Sequence, residues 1–167
     1  QATGALTLVT LIGMLINLLS YEQNDIEIAK FRDSQTAKDW VSYGGNKAGT
    51  RYTSHDLINT ENVTQLQQAW VARTNQPGRF SGTPLQIKDG LYLCTSQNII
   101  ISLDPDTGEE RWRFDPKNET PYFGLLGNCR GVTYFEVPTI PDDQQCKERI
   151  FTATTDARLI AVDMKTG

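Results

Sequence analysis

The side chains able to do chemistry in this 167-residue chain are few, and their spacing rules out several chemistries at once. The cysteines are Cys94, Cys129 and Cys146, and the only histidine is His55. No C-x-x-C pair accompanies them, so the spacing fits no zinc site. His55 stands between Ser54 and Asp56 in a polar stretch, which reads as a solvated loop. Asp104-Pro-Asp-Thr-Gly108 looks at first like a calcium loop, but an EF-hand has glycine at the sixth position and glutamate at the twelfth. Here the glycine is fifth, and a tight turn is the better reading. No phosphate-binding loop, dinucleotide fingerprint or nucleophile elbow occurs.

For the cysteines two readings stay open. Each is a buried free thiol, or Cys129 and Cys146, which flank one loop, form a disulfide if the domain lies in an oxidising compartment. Closing a loop of that length stabilises by about 3 kcal/mol in the chain-entropy view. Cys94 has no assignment on this pattern.

The elements that must position these residues fall into three stretches. Residues 1–21 carry no charge and are dominated by Leu6, Leu8, Val9, Leu11, Ile12, Leu15, Ile16, Leu18 and Leu19. A spanning helix needs about 20 mainly apolar residues, and neither a basic leader nor a small-residue cleavage site is visible. The expectation is a transmembrane helix, the last part of a membrane anchor; a buried helix of a soluble domain is the competing reading. Residues 22–36 form a polar linker whose first charges are Glu22, Asp25 and Glu27. From 37 onward the pattern is all-β, with strands expected at Gln68–Arg73, Leu91–Thr95, Ile99–Leu103, Glu110–Phe114, Arg149–Thr154 and Leu159–Asp163. One short helical turn is expected around Thr60–Leu66, with Thr60 as its cap.

A repeat organises this third stretch. The run from Leu91 to Gly108 resembles the run from Ile150 to Gly167, and Leu103/Val162, Thr107/Thr166 and Gly108/Gly167 are each 59 residues apart (162 − 103, 166 − 107, 167 − 108). Strand, tight turn, strand and an Asp-x-x-Thr-Gly turn occur twice, with glycine suited to a positive-φ position. Trp112 follows the first copy, where it can dock on a neighbouring unit. Such repeats indicate a β-propeller, whose blades are typically about 40–45 residues; here loops at Pro116–Asn128 and Glu136–Gln145 add length. Two blades cannot bury a propeller core alone. A first residue that is not Met and a last residue just past a turn lead us to expect a piece of a longer protein. The formal charge of −4 shows no basic footprint, so no nucleic acid is expected as a partner.

Asp39-Trp-Val-Ser-Tyr-Gly-Gly45, Gly49-Thr-Arg-Tyr52, Ile58-Asn59, Asn62-Val63 and Ala69-Trp70 appear in an order that resembles the start of the pyrroloquinoline quinone (PQQ)-dependent dehydrogenases. Thr83-Pro84, Leu91-Tyr-Leu-Cys94, Cys129-Arg-Gly-Val132 and Thr154-Thr-Asp-Ala-Arg-Leu159 continue the series. The resemblance covers residues 37–167 and points to the membrane-bound branch acting on glucose, quinate, shikimate or related polyols. It implies the first blades of an eight-bladed propeller that binds PQQ beside a calcium or magnesium ion. Hydride passes from substrate to the quinone with a carboxylate as base, and electrons go on to ubiquinone. The implied location is the bacterial inner membrane, with the propeller facing the periplasm. Metal ligands and base fall in later blades, so this fragment by itself is expected to be inactive.

Two cofactor contacts follow from the same resemblance. Arg130 matches an arginine that reaches the cofactor, and guanidinium suits the carboxylates of PQQ. Thr154 falls near a cofactor-bonding threonine. Two positions depart from the family pattern. Ser81 stands where many relatives have a glutamate, and Leu126 where glucose-oxidising members have a histidine. The departures favour another cyclic polyol or hydroxy acid over glucose, and they also allow an inactive truncated copy. A non-enzymatic envelope scaffold with the same repeat is the remaining alternative, against which Arg130 argues.

Overall fold

The computed structural model describes residues 39–118, 128–145 and 147–167. The expected transmembrane helix at 1–21, the linker at 22–36, Leu126 and Cys146 lie outside these. Among the described residues no helix is long and apolar enough to cross a membrane.

Among the described residues seven strands form two antiparallel sheets. Leu85–Ile87 (β1), Gly90–Cys94 (β2), Ile100–Leu103 (β3) and Glu110–Phe114 (β4) make a four-stranded meander; Thr133–Glu136 (β5), Glu148–Ala153 (β6) and Leu159–Asp163 (β7) make a three-stranded one. Alternation of side chains sets the core. Leu85, Ile87, Tyr92, Cys94 and Ile100 face the second sheet and pack with Val132, Ile150, Val162 and Met164. The opposite face of the first sheet gathers Leu93, Ile99, Ile101 and Leu103, with Ala72 and Leu91 against them.

The sequence repeat is a repeat of hydrogen bonds. Asp104 Oδ1 accepts from the amides of Asp106 (2.9 Å) and Thr107 (3.0 Å), and Asp163 Oδ1 accepts from those of Lys165 (2.9 Å) and Thr166 (3.0 Å). Gly108 and Gly167 close these turns at φ 73° and 75°. A tryptophan lies on each glycine so closely that a Cβ would overlap the indole: Trp70 on Gly108, Trp112 on Gly167. Each indole N–H donates to the equivalent carbonyl, Trp70 to Pro105 (3.0 Å) and Trp112 to Met164 (3.1 Å). Glycine is required there twice over, for the backbone angle and for the ring. The docking expected of Trp112 is therefore present, and Trp70 makes the same joint one unit earlier.

Three sequence expectations need correction. Gln68–Arg73 is not a strand; it has no ladder partner among the described residues and crosses the second apolar face, with Trp70 docked. The helical turn is a single 3-10 turn at Val63–Gln65 with Asn62 at its N-cap, not Thr60; the Asn62 amide oxygen instead accepts from Asn59 N (2.9 Å). Cys129 is joined to Cys94, with Cα atoms 5.9 Å apart, and not to Cys146. The reason is topological. Cys94 ends β2 on the face toward the second sheet, and the segment entering β5 runs past that end.

Candidate functional site

The segments that lead into β1 and β5 run side by side. Thr83 and Gly131 form a parallel bridge, and Thr83 N–H donates to the Arg130 carbonyl at 3.0 Å. Gly82 lies close in: a Cβ there would sit 3.1 Å from the Cys94 carbonyl oxygen and 3.6 Å from that of Cys129. A methyl group there would need the Cys94 carbonyl to give slightly and would be in ordinary contact with that of Cys129. Asn128 Nδ2 donates to Ser81 Oγ at 2.7 Å, which ties the two segments together once more.

A cavity of about 700 Å³ opens here, lined by Tyr43, Arg79, Ser81, Asn128, Arg130, Gly131, Val132 and Thr133. Its described lining residues supply two guanidiniums and no carboxylate. Neither Arg79 nor Arg130 has an ion-pair partner among the described residues, and Asn128 Oδ1 is buried without a hydrogen-bond partner. The two guanidiniums, without ion-pair partners among the described residues, are cationic donors suited to carboxylates, whereas the unmet Asn128 oxygen is an acceptor that calls for a donor on whatever binds there. Ser81 adds no charge and leaves the charge balance of the lining positive. Arg79 was not singled out by sequence reasoning. The signal was its place two residues before Ser81, visible only once the cavity is known.

Thr154 sits elsewhere. It is buried, and its hydroxyl serves its own turn: it bonds to the Asp156 carboxylate and accepts from Arg158 N–H at 3.1 Å. The Thr154 amide donates to the Arg158 carbonyl at 2.9 Å. Thr154 is not among the residues lining the Arg130 cavity. The Arg158 guanidinium, then Thr154, holds the Asp156 carboxyl down at about 2. Among the described residues no three His, Cys, Asp or Glu side chains come together to hold a metal.

Consecutive antiparallel sheets, the first locked by Trp112 onto the turn glycine of the second and itself met by Trp70 at the equivalent glycine, define part of a β-propeller. The sequence pattern described as PQQ: Glucose/ethanol/alcohol dehydrogenase, beta-propeller domain, matches residues 40–167. The chain belongs to this family of PQQ-dependent dehydrogenase propellers. It is 37% identical over 158 residues to the glycerol dehydrogenase large subunit of Gluconobacter oxydans (strain 621H), covering 89% of this chain and 21% of that protein. It is 28% identical over 192 residues to the quinate/shikimate dehydrogenase (quinone) of Acinetobacter baylyi (strain ATCC 33305 / BD413 / ADP1), covering 98% and 23%. Among solved structures it resembles the quinohemoprotein alcohol dehydrogenase from Comamonas testosteroni, with a TM-score of 0.68 and 28% identity over 83% of this chain and 20% of that one. The chain thus spans about a fifth of the length of the relatives it matches.

Proposed function

We propose that the protein to which this chain contributes is a quinoprotein dehydrogenase that oxidises a sugar, a polyol or a cyclic hydroxy acid of the quinate or shikimate kind with PQQ. The observation that carries this reading is the cavity at the entrances of β1 and β5, where Arg130 lies beside a second arginine, with no ion pair to either and no carboxylate in the lining among the described residues. When bound, PQQ supplies the two-electron acceptor. The part of this chain is to bind it: Arg130 meets a carboxylate, and Ser81 and Asn128 offer polar contacts. A charge-assisted hydrogen bond of this kind contributes about 1.5–3 kcal/mol. Thr154 is the second contact that the resemblance implies, but its hydroxyl is engaged in the turn at Asp156.

The remaining parts of the reading belong to the whole protein. We infer eight blades, a calcium or magnesium ion and a carboxylate base on blades outside this chain, and transfer of electrons to ubiquinone. The uncharged run at 1–21 supports a membrane helix, the polar stretch at 22–36 a linker, and residues 37–167 the opening of a propeller on the periplasmic side of the bacterial inner membrane. A fragment with two sheets and no converging metal ligands among its described residues is expected to be inactive by itself. The test is reconstitution of the full-length protein with PQQ and calcium or magnesium, followed by dye-linked oxidation of glycerol, glucose and quinate. Cofactor-dependent turnover of at least one is expected. Full-length protein that neither binds PQQ nor turns over any of them overturns the reading.

A further inference from the structure

The disulfide lies immediately beside the cofactor arginine. Cys94 is completely buried and Cys129 nearly so, and the bond closes a loop across 35 residues. Arg130 is the next residue, and its carbonyl is held by Thr83 N–H at 3.0 Å. The backbone of Arg130 is therefore fixed on one side by a covalent bond and on the other by the Thr83–Gly131 bridge. Its side chain stays exposed and free of ion pairs among the described residues. Thr152 Oγ1, from β6, lies 3.5 Å from Cys129 Sγ, where a hydroxyl can donate to the half-cystine.

The second repeat shows what the fold itself asks for at this point. The counterpart of Cys94 is Ala153 (153 − 94 = 59), also the last residue of its strand. The turns that follow are alike: Thr95 N donates to the Ile99 carbonyl at 2.9 Å and Thr154 N to that of Arg158 at 2.9 Å. Asn98 and Ala157 hold the left-handed position at φ 62° and 64°. The hairpin therefore forms without a cysteine, and the bond in the first sheet answers a local need near Arg130.

We propose that the Cys94–Cys129 disulfide is a positioning cross-link for Arg130: it presets the guanidinium for a carboxylate of the cofactor, rather than serving to fold the blade. This rests on the reading of Arg130 as a PQQ contact. A group held in its bound arrangement beforehand loses less freedom on binding. Releasing a residue or two of backbone around Arg130 is expected to weaken cofactor affinity by about tenfold.

The test is a double-mutant cycle in the full-length protein, with PQQ affinity read by quenching of tryptophan fluorescence. The four proteins are wild type, Cys94→Ala/Cys129→Ala, Arg130→Gln, and the triple variant; Cys94→Ala copies what Ala153 already does. The cysteine pair should raise Kd about tenfold when Arg130 is present and less than twofold in the Arg130→Gln background. Equal effects in both backgrounds would show that the bond does not act through Arg130 and would overturn the proposal. A cysteine-pair variant that no longer folds would make the bond a structural staple and overturn it equally. Wild-type protein that fails to bind PQQ brings down the functional reading itself, a result separate from either of these.

Discussion

The two sheets are built on one plan and differ at one end. At the Asp-x-x-Thr-Gly end, turn closure, glycine angle and tryptophan joint coincide in both. At the opposite end, Cys94 in the first sheet is cross-linked to Cys129, whereas Ala153 in the second leads into a turn held by Thr154, Asp156 and Arg158. One end thus repeats because every blade must lock onto the next. The other varies: the first sheet carries a cross-link next to Arg130, and the second has Ala153 in the place of Cys94.

The largest effect should come from breaking the shared end. Gly108→Val or Gly167→Val forces a β-branched residue to a positive φ and drives its side chain into an indole. Each is expected to cost about 4 kcal/mol or more, and similar losses for the two, read by urea denaturation of the full-length protein, would support equivalence of the joints. Next, Trp112→Ala removes a half-buried indole and its bond to the Met164 carbonyl, for a loss of about 3 kcal/mol by the same measurement. Thr154→Val keeps the shape but deletes the hydroxyl bonds of the second turn. It should cost about 1 kcal/mol and leave PQQ affinity within about twofold; a loss of affinity comparable to that of Arg130→Gln would instead make Thr154 a cofactor contact.

The smallest effect is on pH dependence, and it is alike in the two sheets. Asp104 is held down at about 2, first by its bond to Arg111 (2.7 Å) and then by the Thr107 amide; Asp156 is held at about 2 by Arg158 and Thr154. A carboxyl depressed in the folded state stabilises above its ordinary value of 3.8 and loses that contribution as pH falls toward about 2. Acid titration of stability should therefore flatten slightly in this window for both Asp104→Asn and Asp156→Asn. The first change acts at the repeated end, the second at the divergent one.

Much of the frame was legible in the sequence because it is local. The 59-residue offset, the turn glycines and the strands Glu110–Phe114 and Leu159–Asp163 all show in spacing and residue type. What stayed hidden depends on contacts made at a distance. β1 is only Leu85–Ile87, set between Pro84 and the Lys88–Asp89 turn, too short to show an alternation. β5 is mostly solvent-facing and lacks an apolar pattern. Gln68–Arg73 has strand-like residues, yet the docking of Trp70 decides its path. The cysteine pairing was least accessible. Three cysteines allow three pairings, and proximity in the chain favoured Cys129 with Cys146, whereas the parallel approach of Thr83 to Gly131 brings Cys94 to Cys129. Arg130 stands out by motif, whereas the place of Arg79 beside it in one cavity required the fold.

The divergence between the sheets centres on one covalent bond, and peptide mapping without reduction tests it most directly. Full-length protein, alkylated before digestion and cleaved by trypsin, should yield a linked pair of peptides containing Cys94 and Cys129, separable on reduction. A peptide joining Cys129 to Cys146, or alkylated Cys94 and Cys129 in the native protein, would contradict the cross-link beside Arg130 and with it the contrast drawn between the two sheets.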